Sequence, residues 1–173
     1  MEHIDADTME AAGFYFLELA LVPQAWFEAQ PRPVTVGQDD YYVPPMTWWR
    51  HQLAAISIHD FCDLRFHRTG VTEYYSMDGF YETAWTDNNN HRVEIIRNES
   101  DQILCLKVLI DVRTSYSEFL DIAITMAIEA QCLFYEYGDE IFFELSRAPV
   151  INAIGTHEMT HATVDASGRL THH

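Results

Sequence analysis

Apolar and polar positions divide the chain into a uniformly apolar opening run, a proline-rich polar stretch, a series of short alternating segments and a helical end. The run MEAAGFYFLELALV, up to Val22, is apolar on nearly all sides. It predicts a buried helix of about four turns, with Asp7 or Thr8 as its cap and Pro23 as its exit. Residues 30–45 carry Pro31, Pro33, Gly37, Pro44 and Pro45 and read as a loop, and Met46 to Phe66 reads as more helical.

Alternation then changes to the period of two. Val71–Ser76, Phe80–Trp85, Arg92–Arg97 and Gln102–Arg113 predict four antiparallel strands. The segments between them are rich in turn formers: Met77-Asp78-Gly79, Asp87-Asn88-Asn89-Asn90 and Asn98 to Asp101. Phe119, Ile122, Ala123, Met126 and Ala130 recur at helical spacing, with Ser115 or Ser117 as the expected cap. The runs CLFYEY and EIFFEL around Gly138-Asp139 predict a hairpin, and Ser146–His161 a final, shorter helix with Pro149 in its first turn. Strands in a run followed by helix, hairpin and helix give an α+β fold. The expected layout is one domain over residues 1–173, with an N-terminal helical part (1–66) and a sheet-containing part (67–173), the strands forming an antiparallel meander.

Composition changes this picture chiefly through charge. Against 27 Asp and Glu stand only 10 Lys and Arg, a net charge of -17. A phosphate backbone would be repelled, which excludes direct nucleic-acid binding. No apolar run is long and uncharged enough to cross a bilayer, so no membrane association is expected. Cys62, Cys105 and Cys132 are odd in number, widely spaced and free of any C-x-x-C, which points to reduced thiols in a cytoplasmic protein.

One motif carries candidate chemistry. His157-Glu158-Met159-Thr160-His161 is an H-E-x-x-H, and on a helix its histidines share a face, so that both can bind one zinc while Glu158 activates a water. The segment INAIGTHEMTHA resembles the active-site helix of thermolysin-like zinc metallopeptidases. That resemblance implies His157 and His161 as ligands and Glu158 as the base of a zinc-dependent hydrolase. Such enzymes take a third ligand downstream, whereas the twelve residues after His161 contain no Glu. Asp165, one more turn along the same helix, is too far displaced to converge on the ion. The triplets His67-Arg68-Thr69 and His161-Ala162-Thr163 resemble the paired histidines of two-histidine phosphoesterases, except that Arg68 stands where those enzymes carry an apolar residue.

Carboxylates mixed with aromatic rings form the other candidate site. Asp39, Asp40, Tyr41 and Tyr42, Asp60 with Asp63, Glu73 with Tyr74, and Glu136, Tyr137, Asp139 and Glu140 fall at expected loops and turns. Rings supply contact area and charge steers a basic partner, which is the make-up of a protein interface. The last third is similar to small bacterial immunity proteins of secreted-toxin systems: the strand LKVLIDVR with Asp111 and Arg113 at its end, a helix with Phe119-Leu120, the aromatic hairpin, and a helix opening at Ser146. The resemblance implies an acidic, cytoplasmic toxin-neutralising protein; occlusion of the partner is the expected mechanism, and no cofactor is expected. The reading carried forward is an acidic binding protein against a basic toxin, with the zinc hydrolase as the alternative and a DNA-mimicking inhibitor as a third.

Overall fold

The computed structural model describes residues 15–29, 48–50, 52–74, 79–136 and 141–161, with backbone alone at 70–74 and 157–161. The elements run β1 (Phe16–Pro23), α1 (Gln24–Glu28), α2 (Ile58–Asp63), β2 (His67–Tyr74), β3 (Phe80–Thr86), β4 (Arg92–Arg97), β5 (Ile103–Asp111), α3 (Ser117–Glu129), β6 (Cys132–Glu136), β7 (Ile141–Phe143) and α4 (Arg147–His161). Seven strands form one antiparallel sheet in the order β2-β3-β4-β5-β1-β6-β7, so the fold is α+β and β2 to β5 form the expected meander. Among the described residues no helix is long and apolar enough to cross a membrane.

The largest correction concerns the opening run. Phe16 to Pro23 is not a helix but a central strand, paired with β5 on one side and β6 on the other. The expected helix over Asp7 to Phe14 lies outside the described residues. A strand buried on both faces loses its alternation and reads as a continuous apolar run. Leu19, Val108, Val93 and Trp85 line up across four strands on the face that carries α2 and α3, and all four are buried. On the opposite face Ala20 is paired with Tyr135 and Tyr135 with Phe142. Trp48 packs edge-on against Tyr135 at 5.1 Å, and Trp26 stacks on Phe142 at 6.3 Å. Trp49 donates its indole N–H to the Leu21 carbonyl at 3.0 Å, tying residues 48–50 to β1. The sheet therefore draws on both the 1–66 and the 67–173 parts, and 1–66 is not a helical subunit of its own.

The helical layer is joined to the sheet by large side chains. Phe119, Leu120, Ala123, Met126 and Ala127 are the buried positions of α3. Ile58, Phe61 and Cys62 are those of α2, whose Cys62 Sγ lies 4.0 Å from Met126 Sδ. Ser57 caps α2 by accepting the Asp60 N–H. Neither serine expected to cap α3 does so. Tyr116 holds the cap position, and the Ser117 hydroxyl instead accepts from Arg147 of α4, which also pairs with Asp121. Two of the expected turns are present, with Asn90 and Asp101 at left-handed φ of 67° and 61° in the β3–β4 and β4–β5 connections; Gly79 adopts 57° before β3, while Met77, Asp78, Gly138 and Asp139 lie outside the described residues. Of the helix expected over Met46 to Phe66, the described residues hold α2 and a turn at 48–50. The final helix begins at Arg147 with Pro149 in its first turn, and at 15 residues it is the longest described, not a shorter one.

Candidate functional site

Two polar networks stand out at the helix-bearing side of the meander. In the first, α2, β2, β3 and β4 bring together His59, Asp63, Arg68, Trp85 and Arg97. Arg97 is at the end of β4, with Nη1 2.7 Å from Asp101 Oδ1 and Nη2 2.8 Å from His59 Nδ1. The His59 ring stands edge-on to Trp85 at 5.0 Å. The Trp85 indole donates to Asp63 Oδ1 at 2.7 Å, and Arg68 grips the same carboxylate with Nε and Nη2. The Trp85 hydrogen bond, with Arg68 behind it, holds Asp63 below the usual carboxylate range. Burial first, and then the cations Arg97 and Arg68, lower His59 from the ordinary imidazole value. Next to Arg97 and Asp101 lies a cleft of about 360 Å³, walled by Leu53, Ala54, Gln102 and Ile103.

The second network closes the β3–β4 turn. His91 is fully buried and stacks on Phe119 at 4.8 Å. Its Nδ1 accepts the Asp111 N–H at 3.0 Å, and its Nε2 N–H donates to the Ser115 carbonyl at 2.9 Å. Both nitrogens are thus committed to backbone, which fits a structural imidazole rather than a reactive one. Asp111 is also buried; its carboxylate takes two side-chain bonds from Arg113 and one from Asn90. Burial pushes Asp111 up, but the bonds from Arg113 outweigh it and hold the carboxyl below its usual range. The Asp-x-Arg strand end read from the sequence is therefore an ion pair that finishes β5. A smaller cleft, of about 160 Å³, opens alongside between Asp87, Asn88, His67, Glu118 and Phe119.

The residues singled out from the sequence fall in different places. Asp39, Asp40, Tyr41 and Tyr42 lie outside the described residues, as do Tyr137, Asp139 and Glu140. Glu73 and Tyr74 close β2, at one edge of the sheet. Glu136 lies in the hairpin strand, as the run CLFYEY predicts, and not at a loop. It is the last residue of β6, paired with Leu19 and Ile141 and only 9% exposed, so it is not a surface contact. His157, Glu158 and His161 lie on the backbone of α4, in the last turns of that helix. Among the residues whose side chains are described, no three His, Cys, Asp or Glu gather as a metal set. Of the first network, only Asp63 was marked by the sequence; His59 and Arg97 are 38 positions apart and share no local motif.

No family model, no curated protein and no solved structure matches the chain.

Proposed function

We propose that the chain is an acidic binding protein that neutralises a basic protein partner by occlusion, as an immunity protein does with a toxin effector. The observation that carries this reading is the fate of most of its described cations. Arg68, Arg97, Lys107, Arg113 and Arg147 are each paired with a carboxylate of the same chain. Arg65 lies over the Phe61 ring and Arg92 over Phe16. The net charge of -17 leaves an excess of carboxylates, and among the described residues Asp60, Glu99, Glu118 and Glu129 are exposed on helices and turns. Such a surface raises the encounter rate with a cationic partner, while apolar contacts hold the complex. The exposed Leu53, Leu64 and Ile128 supply apolar area among those charges.

Mixing the purified chain with the product of the neighbouring reading frame tests the proposal. A stable complex in which the partner's activity is abolished supports it, and the absence of binding overturns it. The zinc hydrolase is kept as a second reading because the helical backbone through His161 sets His157 and His161 four residues apart on one face. Metal analysis after removal of any terminal histidine tag distinguishes the two. A full equivalent of zinc that disappears in a His157→Ala, His161→Ala double variant favours the hydrolase.

A further inference from the structure

We propose that His59 is an acid-sensitive latch between α2 and the sheet: neutral, it accepts a hydrogen bond from Arg97, and protonated, it releases α2 from β4. The chemistry of the contact requires this. A guanidinium has only donors, so the 2.8 Å contact between Arg97 Nη2 and His59 Nδ1 needs a lone pair on Nδ1, which leaves the ring proton on Nε2. A second proton on the ring turns the acceptor into a donor that faces a donor, and adds a positive charge beside another.

The surroundings decide where the latch opens. Facing His59 are Arg97 from β4 and Arg68 from β2, which oppose the imidazolium, and Asp63 from α2 itself and Asp101 from the β4–β5 turn, which favour it. Trp85 of β3 covers one edge of the ring and removes water from it. Desolvation and the two arginines prevail, so the latch is closed at neutral pH and opens in mild acid. Opening is local, because Ile58, Phe61 and Cys62 keep α2 in the core. What moves is the outer side of α2 and the Arg97 wall of the larger cleft. Arg97 keeps Asp101 but loses its second anchor, and its buried Nε already has no partner among the described residues.

The test combines NMR titration of the His59 ring with hydrogen exchange of the α2 backbone, read at the Leu64 and Phe66 amides that bond back to Asp60 and Cys62. In the wild type His59 is expected to titrate below 6.5, with its neutral proton on Nε2. After correction for intrinsic exchange, α2 protection should fall by up to about tenfold per pH unit as pH drops below 6.5, the limit for one linked proton. His59→Asn retains an acceptor oxygen near the Nδ1 position and cannot titrate, so its protection should not show that fall. Arg97→Met should raise the His59 pKa relative to the wild type. A wild-type His59 pKa at or above 6.5, an equal acid-induced fall in His59→Asn, or an unmoved pKa in Arg97→Met would each overturn the latch. The ring titrations of the wild type and Arg97→Met decide the matter should His59→Asn fail to fold.

Discussion

Lys107, the sole lysine of the chain, sits on the sheet face opposite α3, 3.2 Å from Glu18 and 3.3 Å from Glu94. Burial alone would lower its pKa, but the two carboxylates outweigh burial and keep it charged. Glu94 is the more enclosed partner, and burial pushes its carboxyl up despite Lys107. Lys107→Met should therefore cost about 3 kcal/mol, because a buried carboxylate loses its cation. The pH dependence has a definite sign: with its folded pKa raised above the unfolded one, Glu94 binds more protons in the folded state, so the variant should lose stability as pH rises through that folded pKa. Urea unfolding between pH 5 and 8 measures this, and a further Glu94→Gln change should recover most of the loss. The thiols supply a second residue-level check. Cys62 and Cys132 are buried and pushed up to about 12 by desolvation, and Cys105 is buried as well. All three should be inert to a thiol reagent in the native protein, and three per chain should react after unfolding without reductant.

At the scale of elements, β1 is the strand whose place is least expected and whose behaviour is most specific. A central strand has both of its backbone edges paired, so the amides of Leu19 to Leu21 should be among the last to exchange with deuterium. Fragment mass spectrometry measures this, and early exchange of these amides would overturn the central placement of β1. The sequence made the meander legible because β3, β4 and β5 keep partial alternation and are separated by turns that need left-handed residues, as at Asn90 and Asp101. It made β1 illegible because Leu17, Leu19 and Leu21 face one layer while Ala20 and Val22 face another, which leaves only Glu18 to mark a period. The same limit applies to the candidate site. Runs such as Glu73-Tyr74 are adjacent in the chain and visible, whereas His59 meets Arg97 only because the fold brings the end of β4 to α2. Glu136 belongs to the apolar run CLFYEY that predicts the hairpin strand, and its pairing with Leu19 and Ile141 places it there; grouping it with its acidic neighbours as a contact residue overlooks that run.

For the molecule as a whole, the insertion of β1 between β5 and β6 ties the first part of the chain into the same sheet as the last. A fragment of residues 67–173 would leave the inner edges of β5 and β6 unpaired, together with the apolar faces that β1 fills. Expressed alone, it should not give the cooperative unfolding transition of the full chain. Charge acts on the same scale in two ways. With a net charge of -17 and most of its described cations already engaged, the chain repels itself, so screening should stabilise it. Its melting temperature should rise between about 20 mM and 200 mM monovalent salt, over which the Debye length shrinks from roughly 20 Å to under 10 Å. Binding should respond in the opposite sense. Steering of a basic partner depends on the long-range field that salt removes, whereas contacts through residues such as Leu53, Leu64 and Ile128 depend on excluded water. Stopped-flow association with the proposed partner should therefore slow at least tenfold over that salt range, while the dissociation rate changes little. A salt-independent association rate would mean that the acidic surface serves solubility and not recognition.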